Sequence, residues 1–142
     1  MIKIIECTNK KINYKAIYNR SARVINIESN IMNDECKPYE ESTGCMVFLI
    51  EKYIGEIEII YPIEIKNTKA YNCDEMETIY GTPTVMVNFE DKNATFAIED
   101  EKLILILNDK EKADKKYVSG ECSFYVAGDE VVAIACENVH II

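Results

Sequence analysis

Residues 45–65 read CMVFLIEKYIGEIEIIYPIEI, and residues 122–142 read CSFYVAGDEVVAIACENVHII. Each stretch has two apolar runs joined by a short polar turn, which is the pattern of a β-hairpin. Laid over each other without a gap, the two stretches match at apolar positions along their length. The aligned pairs include Cys45 with Cys122, Phe48 with Tyr125, Leu49 with Val126, Ile54 with Val131 and Ile57 with Ile134. The overlay indicates one small unit present twice.

Alternation of apolar and polar residues predicts strands along most of the chain. In residues 55–66, GEIEIIYPIEIK, isoleucines occupy one face of a strand and Glu56 and Glu58 the other. Pro62 cannot donate to a ladder, so this strand is expected to bulge there or to lie at an edge. Residues 102–109, KLILILND, are apolar on both faces and predict a strand covered on both sides. Other strands are predicted at 2–6, 12–18, 22–28, 45–50, 85–90, 95–99, 117–126 and 131–137.

Polar turn sequences separate these runs, as in EDEK (99–102) and AGDE (127–130). Residues 72–83, NCDEMETIYGTP, hold one of the few helix signals, a single turn that Gly81 and Pro83 would end. We therefore predict a mainly β protein in which antiparallel sheets form a sandwich or a barrel.

The matching stretches divide the chain, taken as a single compact domain of residues 1–142, into two copies at about 1–65 and 84–142, with a linker at 66–83. Each copy alone would be marginal in size, so the two would bury their apolar faces on each other about a pseudo-two-fold axis. The alternative is that any two hairpins share an apolar pattern by chance.

Composition limits the classes of partner. The 142 residues carry a net charge of −9 and a sequence pI of about 4.7. A phosphate backbone requires clustered Lys and Arg, so nucleic acid is not expected as a partner, whereas a basic protein surface is. There is no apolar run long enough for a membrane helix and no signal-peptide pattern at the start, so we expect a cytoplasmic protein with no membrane partner.

The cysteines and the single histidine indicate no metal or cofactor. Six cysteines occur without a C-x-x-C pair, and zinc sites usually need tighter spacing. In the cytoplasm thiols stay reduced, so Cys45, Cys122 and Cys136 are interpreted as small core residues. His140 is the only histidine and has no evident nucleophile as partner. The chain is accordingly expected not to be an enzyme.

Residues 101–139, EKLILILNDKEKADKKYVSGECSFYVAGDEVVAIACENV, resemble a small bacterial family of uncharacterised β domains. The shared pattern is an apolar strand, a polar loop, a second strand, a tight turn with Gly and acids, and a closing strand. In this chain the closing strand is VVAIAC, with Ala133 where the family favours Gly and Ala135 where it favours Glu. The resemblance implies a small β fold, and it implies no activity, cofactor or site.

Two hypotheses for function follow. The first is a non-enzymatic interaction protein that binds a basic protein partner, for example as an inhibitor or immunity-type protein, through its acidic clusters. The candidate partner-binding residues are Asp74, Glu75, Glu77, Glu99, Asp100 and Glu101. The alternative is a small-molecule-binding protein that holds an anionic ligand in a pocket between the copies, with Arg20 and Arg23 as the ligand-binding pair.

A third hypothesis, an enzyme that uses carboxylates or a metal, lacks a nucleophile–base pair in the sequence. Self-association into a homo-oligomer is a further expectation. It rests on the surplus apolar face around Met46, Phe48 and Ile104 and on the chain end Ile141–Ile142, which no charge follows.

Overall fold

The computed structural model describes residues 1–66 and 76–142 and is all-β. The period-two alternation of the sequence appears directly as strands with one buried and one more exposed side. The first strands are β1 (Ile2–Thr8), β2 (Tyr14–Asn19), β3 (Val24–Ser29), β4 (Lys37–Ser42), β5 (Cys45–Ile50), β6 (Tyr53–Ile60) and β7 (Ile63–Glu64). After these come β8 (Glu77–Tyr80), β9 (Thr82–Val87), β10 (Thr95–Glu99), β11 (Lys102–Ile106), β12 (Lys115–Ser119), β13 (Cys122–Ala127), β14 (Glu130–Cys136) and β15 (His140–Ile141).

All of these strands belong to one mixed sheet. Its main path runs β15-β2-β3-β6-β9-β1-β14-β11-β10-β7, with β5 and β4 branching from β6 and with β13, β12 and β8 branching from β14. Most neighbours are antiparallel, and β7, β8 and β15 join their partners in parallel. The prediction of a mainly β protein with antiparallel sheets, of the sandwich or barrel kind, is confirmed.

Strands in the two halves of the chain are paired in the same order. In the first half (β1–β7) the order is β2-β3-β6-β5-β4, and in the second half (β9–β15) it is β10-β11-β14-β13-β12. The first and last strands of each half are exchanged: β1 pairs with β14 and β9 with β6, whereas β7 pairs with β10 and β15 with β2. That the halves are copies of one unit stays a prediction, and the register supplies the equivalent positions used below.

The exchanged strands β1 and β9 meet in the middle of the sheet. Ile4 lies opposite Val85 in this antiparallel pair, and the register shifts immediately afterwards at a β-bulge. The inner side of the sheet encloses a core with side chains from both halves, among them Ile2, Ile57, Phe96 and Phe124. The two halves therefore share the main core.

A second apolar cluster lies on the outer side of the second half. Ile104 and Ile106 of β11 pack there with Ala133 and Ala135 of β14. Ile65, Met76 and Ala113 are among the residues that pack against or within this cluster. This cover explains why residues 102–109 are apolar on both faces.

Some local predictions were wrong. Residues 117–126 are two strands, because Gly120 has a φ of 60° and an added Cβ there would lie 2.9 Å from Asn13 Oδ1. The predicted helical turn at 72–83 is, over its described part, strand β8 and the start of β9. The predicted linker at 66–83 contains these strand residues, and its residues 67–75 lie outside the described part of the chain, so the division into two copies and a linker stays a prediction.

Cys122 and Cys136 are fully buried, and the structure joins them by a disulfide. They lie opposite each other on β13 and β14 with Cα atoms 4.2 Å apart, which brings the two sulfurs together. The core position was predicted, but the bond was not. At the equivalent pair in the first half, Cys45 faces Ile59 and is a free, buried thiol.

Candidate functional site

The predicted ligand-binding pair, Arg20 and Arg23, is exposed on the β2–β3 turn. The Arg23 guanidinium lies over the ring of Tyr61 at 5.3 Å, an ordinary cation–π contact. Neither arginine lines any of the cavities described below.

Among the described residues, the predicted partner-binding acids lie at two separate places, Glu77 at one and the turn of Glu99, Asp100 and Glu101 at the other. Through β12 and β13, Glu77 is level with Val131 near the start of β14. The turn formed by Glu99, Asp100 and Glu101 adjoins the opposite end of β14, because β11 begins beside its last residue. At about 3.3 Å per residue, the length of β14 separates them by roughly 20 Å.

Of the other predicted partner-binding residues, Asp74 and Glu75 lie outside the described residues. The single histidine, His140, is exposed on β15 opposite Ile17.

A different group of carboxylates meets on the outer side of the first half, on β3, β5 and β6. We call it the acidic face. Glu28 lies opposite Glu56, and Asn26 lies opposite Glu58. The alternate residues of these strands, such as Ile27 and Ile57, are buried in the core, which turns the acidic residues outward. The acidic face comprises Asn26, Glu28, Met46, Phe48, Glu56 and Glu58.

The acidic face replaces an apolar surface of the second half. The Glu28–Glu56 pair corresponds in register to Ile106 and Ala133. The Asn26–Glu58 pair corresponds in the same way to Ile104 and Ala135, and these second-half residues are buried. The first half therefore has a row of carboxylates at the positions where the second half has a buried apolar surface.

Glu56 is the most perturbed carboxylate of this face. It is half-buried, and burial together with the negative charges of Glu28 and Glu58 raises its pKa. Asn26 donates one weak hydrogen bond of 3.5 Å to Glu56 Oε1. Lys15 lies opposite Glu28 on β2, yet among residues 1–66 and 76–142 no ion pair within 4 Å involves a carboxylate of this face.

A shallow groove of about 210 Å³ adjoins the acidic face. Glu58, Met46 and Phe48 of the face form part of its wall. Gly44 and Ile60 are among the other residues that line it, and Ile60 is exposed. Apolar and anionic groups therefore lie side by side here.

A second, buried carboxylate secures the joint between the halves. Glu41 at the end of β4 is fully buried, and its Oε1 lies 3.2 Å from Lys92 Nζ and 3.1 Å from the Met1 ammonium. Ser42 donates a 2.6 Å hydrogen bond to Oε2. Burial by itself would raise the pKa of Glu41, but Ser42 and the two cations hold it below its ordinary value.

The opposite joint has the same place in the fold but different chemistry. There the Ser119 hydroxyl donates a 2.6 Å hydrogen bond to the carbonyl of Ile12, and the Ile12 side chain is fully buried. Ile12 precedes β2 as Lys92 precedes β10, and Val118 stands in β12 near the position that Glu41 holds in β4. One joint therefore relies on an ion pair and the other on the hydrogen bond of a buried hydroxyl.

The sequence contained a signal for the acidic face that the predictions did not use. The repeated glutamates in GEIEII were assigned to the polar side of a strand. What the pattern lacked was the pairing of β6 with β3, which adds Glu28 to the row. The predictions favoured acids in turns, where side chains point away from one another.

Replacing Glu56 with Gln should stabilise the fold at about pH 7 by up to roughly 1 kcal/mol, because it removes like-charge repulsion. The raised pKa means that ionisation of Glu56 costs stability as pH rises through its folded-state value. The gain should therefore vanish below about pH 4 in urea titrations across the pH range. The exposed Glu111→Gln serves as the control, and an equal gain in both variants would refute the account of Glu56.

Changing either partner of the buried ion pair should cost stability, whereas changing both should cost less than the two single losses together. We expect Glu41→Val to lower the free energy of unfolding by roughly 2–4 kcal/mol, because two cations lose their shared carboxylate. Lys92→Ile should cost about 2 kcal/mol, because the buried Glu41 keeps only the Met1 ammonium as a cationic partner. The double variant removes both charges of the pair, so its loss should be smaller than the sum of the two single losses by at least about 2 kcal/mol. Strictly additive losses in urea denaturation would contradict the proposed role of the pair.

Acid should act on the same joint. Because the pKa of Glu41 is lowered in the fold, its stabilising contribution is present above the unfolded value and is lost as pH falls through the folded value. Below about pH 4.5 the wild-type protein should therefore lose stability more steeply than the Glu41→Val/Lys92→Ile variant. If the free energy of unfolding of the two proteins changed with pH in parallel, Glu41 would not be the source of the acid sensitivity.

Among the described residues, no group of three His, Cys, Asp or Glu side chains is arranged to hold a metal ion. In the same part of the chain, no helix has the length and apolar character to cross a membrane. Comparison with protein-family models gave no match, and a search among curated proteins found no relative. The resemblance of residues 101–139 to bacterial β domains stays a prediction.

Proposed function

We propose that this protein is a non-enzymatic interaction protein whose acidic face binds the basic surface of a protein partner. The observation that carries the proposal is Glu56, a half-buried carboxylate placed between Glu28 and Glu58 with a raised pKa. A Lys or Arg side chain from a partner would relieve this repulsion. Because the repulsion already raises the free energy of the unbound protein, its relief would favour binding.

The surroundings of Glu56 support a protein partner. Phe48 and Met46 lie beside the carboxylates in neighbouring strands and offer apolar contact next to charge. Protein interfaces combine an apolar centre with a polar rim, and aromatic residues and Met are enriched in them. The overall charge of −9 would speed the approach of a cationic protein.

The specific form we propose is an inhibitor or immunity-type protein. Such a protein covers a cationic working surface of its target, for example the nucleic-acid groove of a basic toxin or nuclease. A row of carboxylates on a rigid sheet suits this task, because its spacing is set by the strand register and little order is lost on binding. Glu28, Glu56 and Glu58 would be the residues that contact the target's cations.

Binding of a Lys/Arg-rich peptide of about 12 residues to the acidic face tests the proposal by fluorescence anisotropy. Glu56→Gln/Glu58→Gln should weaken binding at least about tenfold at low salt. Glu99→Gln/Glu101→Gln changes the net charge equally on a distant turn and should weaken it less than about twofold. Equal weakening in the two variants would show attraction to net charge alone and would overturn the proposal.

A further inference from the structure

A cavity of about 490 Å³ lies on the seam between the two halves, and we call it the seam cleft. The β1–β2 loop of the first half contributes Lys10 and Lys11 to its lining. The cleft is also lined by Tyr80 and Gly81, which precede β9, and by Gly120 of the β12–β13 turn. The volume lies within the range of small-molecule sites, about 300–1,000 Å³.

Buried hydroxyl groups hold the β1–β2 loop in place beside the cleft. Thr82 Oγ1 donates 2.8 Å to the carbonyl of Lys10 and lies 2.6 Å from Ser119 Oγ. Ser119 in turn donates to the carbonyl of Ile12, and the amide of Lys10 donates to Thr8 Oγ1. These bonds order the loop before any ligand arrives, which lowers the entropic cost of binding.

The cleft is cationic on an otherwise acidic protein. No ion pair within 4 Å in the described part of the chain involves Lys10 or Lys11, and Lys10 Nζ lies 4.8 Å from the ring centroid of Tyr53. At the equivalent loop of the second half, the register of β10 with β11 places Glu90 and Asp91 at these two positions. The lysines are thus a feature of this side of the molecule alone.

A second hollow of about 660 Å³ adjoins the cleft at Asn13, and its charged lining residues are Lys15, Glu28 and Glu121. Its two carboxylates outnumber its one lysine, so an anionic group is favoured at the end with Lys10 and Lys11. Tyr80, which is 79% exposed, presents its ring at the same cleft. An aromatic ring beside cationic donors suits a ligand with a planar ring and an anionic group.

We propose that the seam cleft binds a small phosphorylated or carboxylated molecule that carries a planar ring, of the chemical class of a mononucleotide. Lys10 and Lys11 neutralise the anionic group, and Tyr80 stacks on the ring. The ligand contacts both halves, so binding stabilises their joint. This site is separate from the acidic face, and it assigns ligand binding to Lys10 and Lys11 instead of Arg20 and Arg23.

Selective ¹⁵N-glycine labelling gives a direct test, because the chain has only five glycines. Adenosine monophosphate should shift the amide signals of Gly81 and Gly120, which line the cleft, and leave Gly44 and Gly128 in place. Gly44 lines the groove of the acidic face, so it reports on the proposed protein site independently. We expect saturation below about 1 mM, with a rise in Tm of a few degrees.

Two matched variants and one matched probe decide the outcome. Lys10→Gln/Lys11→Gln should weaken binding of adenosine monophosphate at least about tenfold, whereas Lys110→Gln/Lys112→Gln, with the same charge change in an exposed loop, should not. Adenosine, which lacks the phosphate, should bind at least about tenfold more weakly. No shift of Gly81 and Gly120 at about 10 mM, or equal effects of the two variants, would overturn the proposal.

Discussion

The structure depends on the exchange of the first strands between its halves. β1 and β9 pair with each other in the middle of the sheet, and each also pairs with the last long strand of the opposite half. A sheet strand left without a neighbour exposes a row of unpaired backbone groups. Each half completes the sheet of the other, and the core that holds Phe96 and Phe124 takes side chains from both halves.

This shared plan leaves the two halves free to differ on their outer sides. In the second half, Ile104 and Ile106 are covered by other side chains of the protein. In the first half, no such cover lies over Glu56 and its neighbours among the described residues. The joints differ in a similar way, one around the Glu41–Lys92 ion pair and one around Ile12. Both proposed sites lie where the halves diverge, and the shared strand order supplies the scaffold.

Sequence pattern predicted the strands in which apolar residues alternate, because alternation depends only on neighbours along the chain, whereas the largely polar strand β4 was not predicted. The pattern could not predict the partners of β1 and β9, since strand pairing over long separations leaves no local period. For the same reason Glu56 was recognised as polar but not as part of a row with Glu28. The turn at Gly120 was missed because apolar residues continue on both sides of it.

Native-state hydrogen exchange tests the interlocked halves most directly. Val85→Ala truncates a buried side chain at the centre of the β1–β9 pair and should lower stability by roughly 2 kcal/mol. If the halves unfold together, the slowest amides of β6 and β14 share one opening free energy, and the variant lowers both by the same amount. Different opening free energies for β6 and β14, or a change in only one of them, would contradict the account.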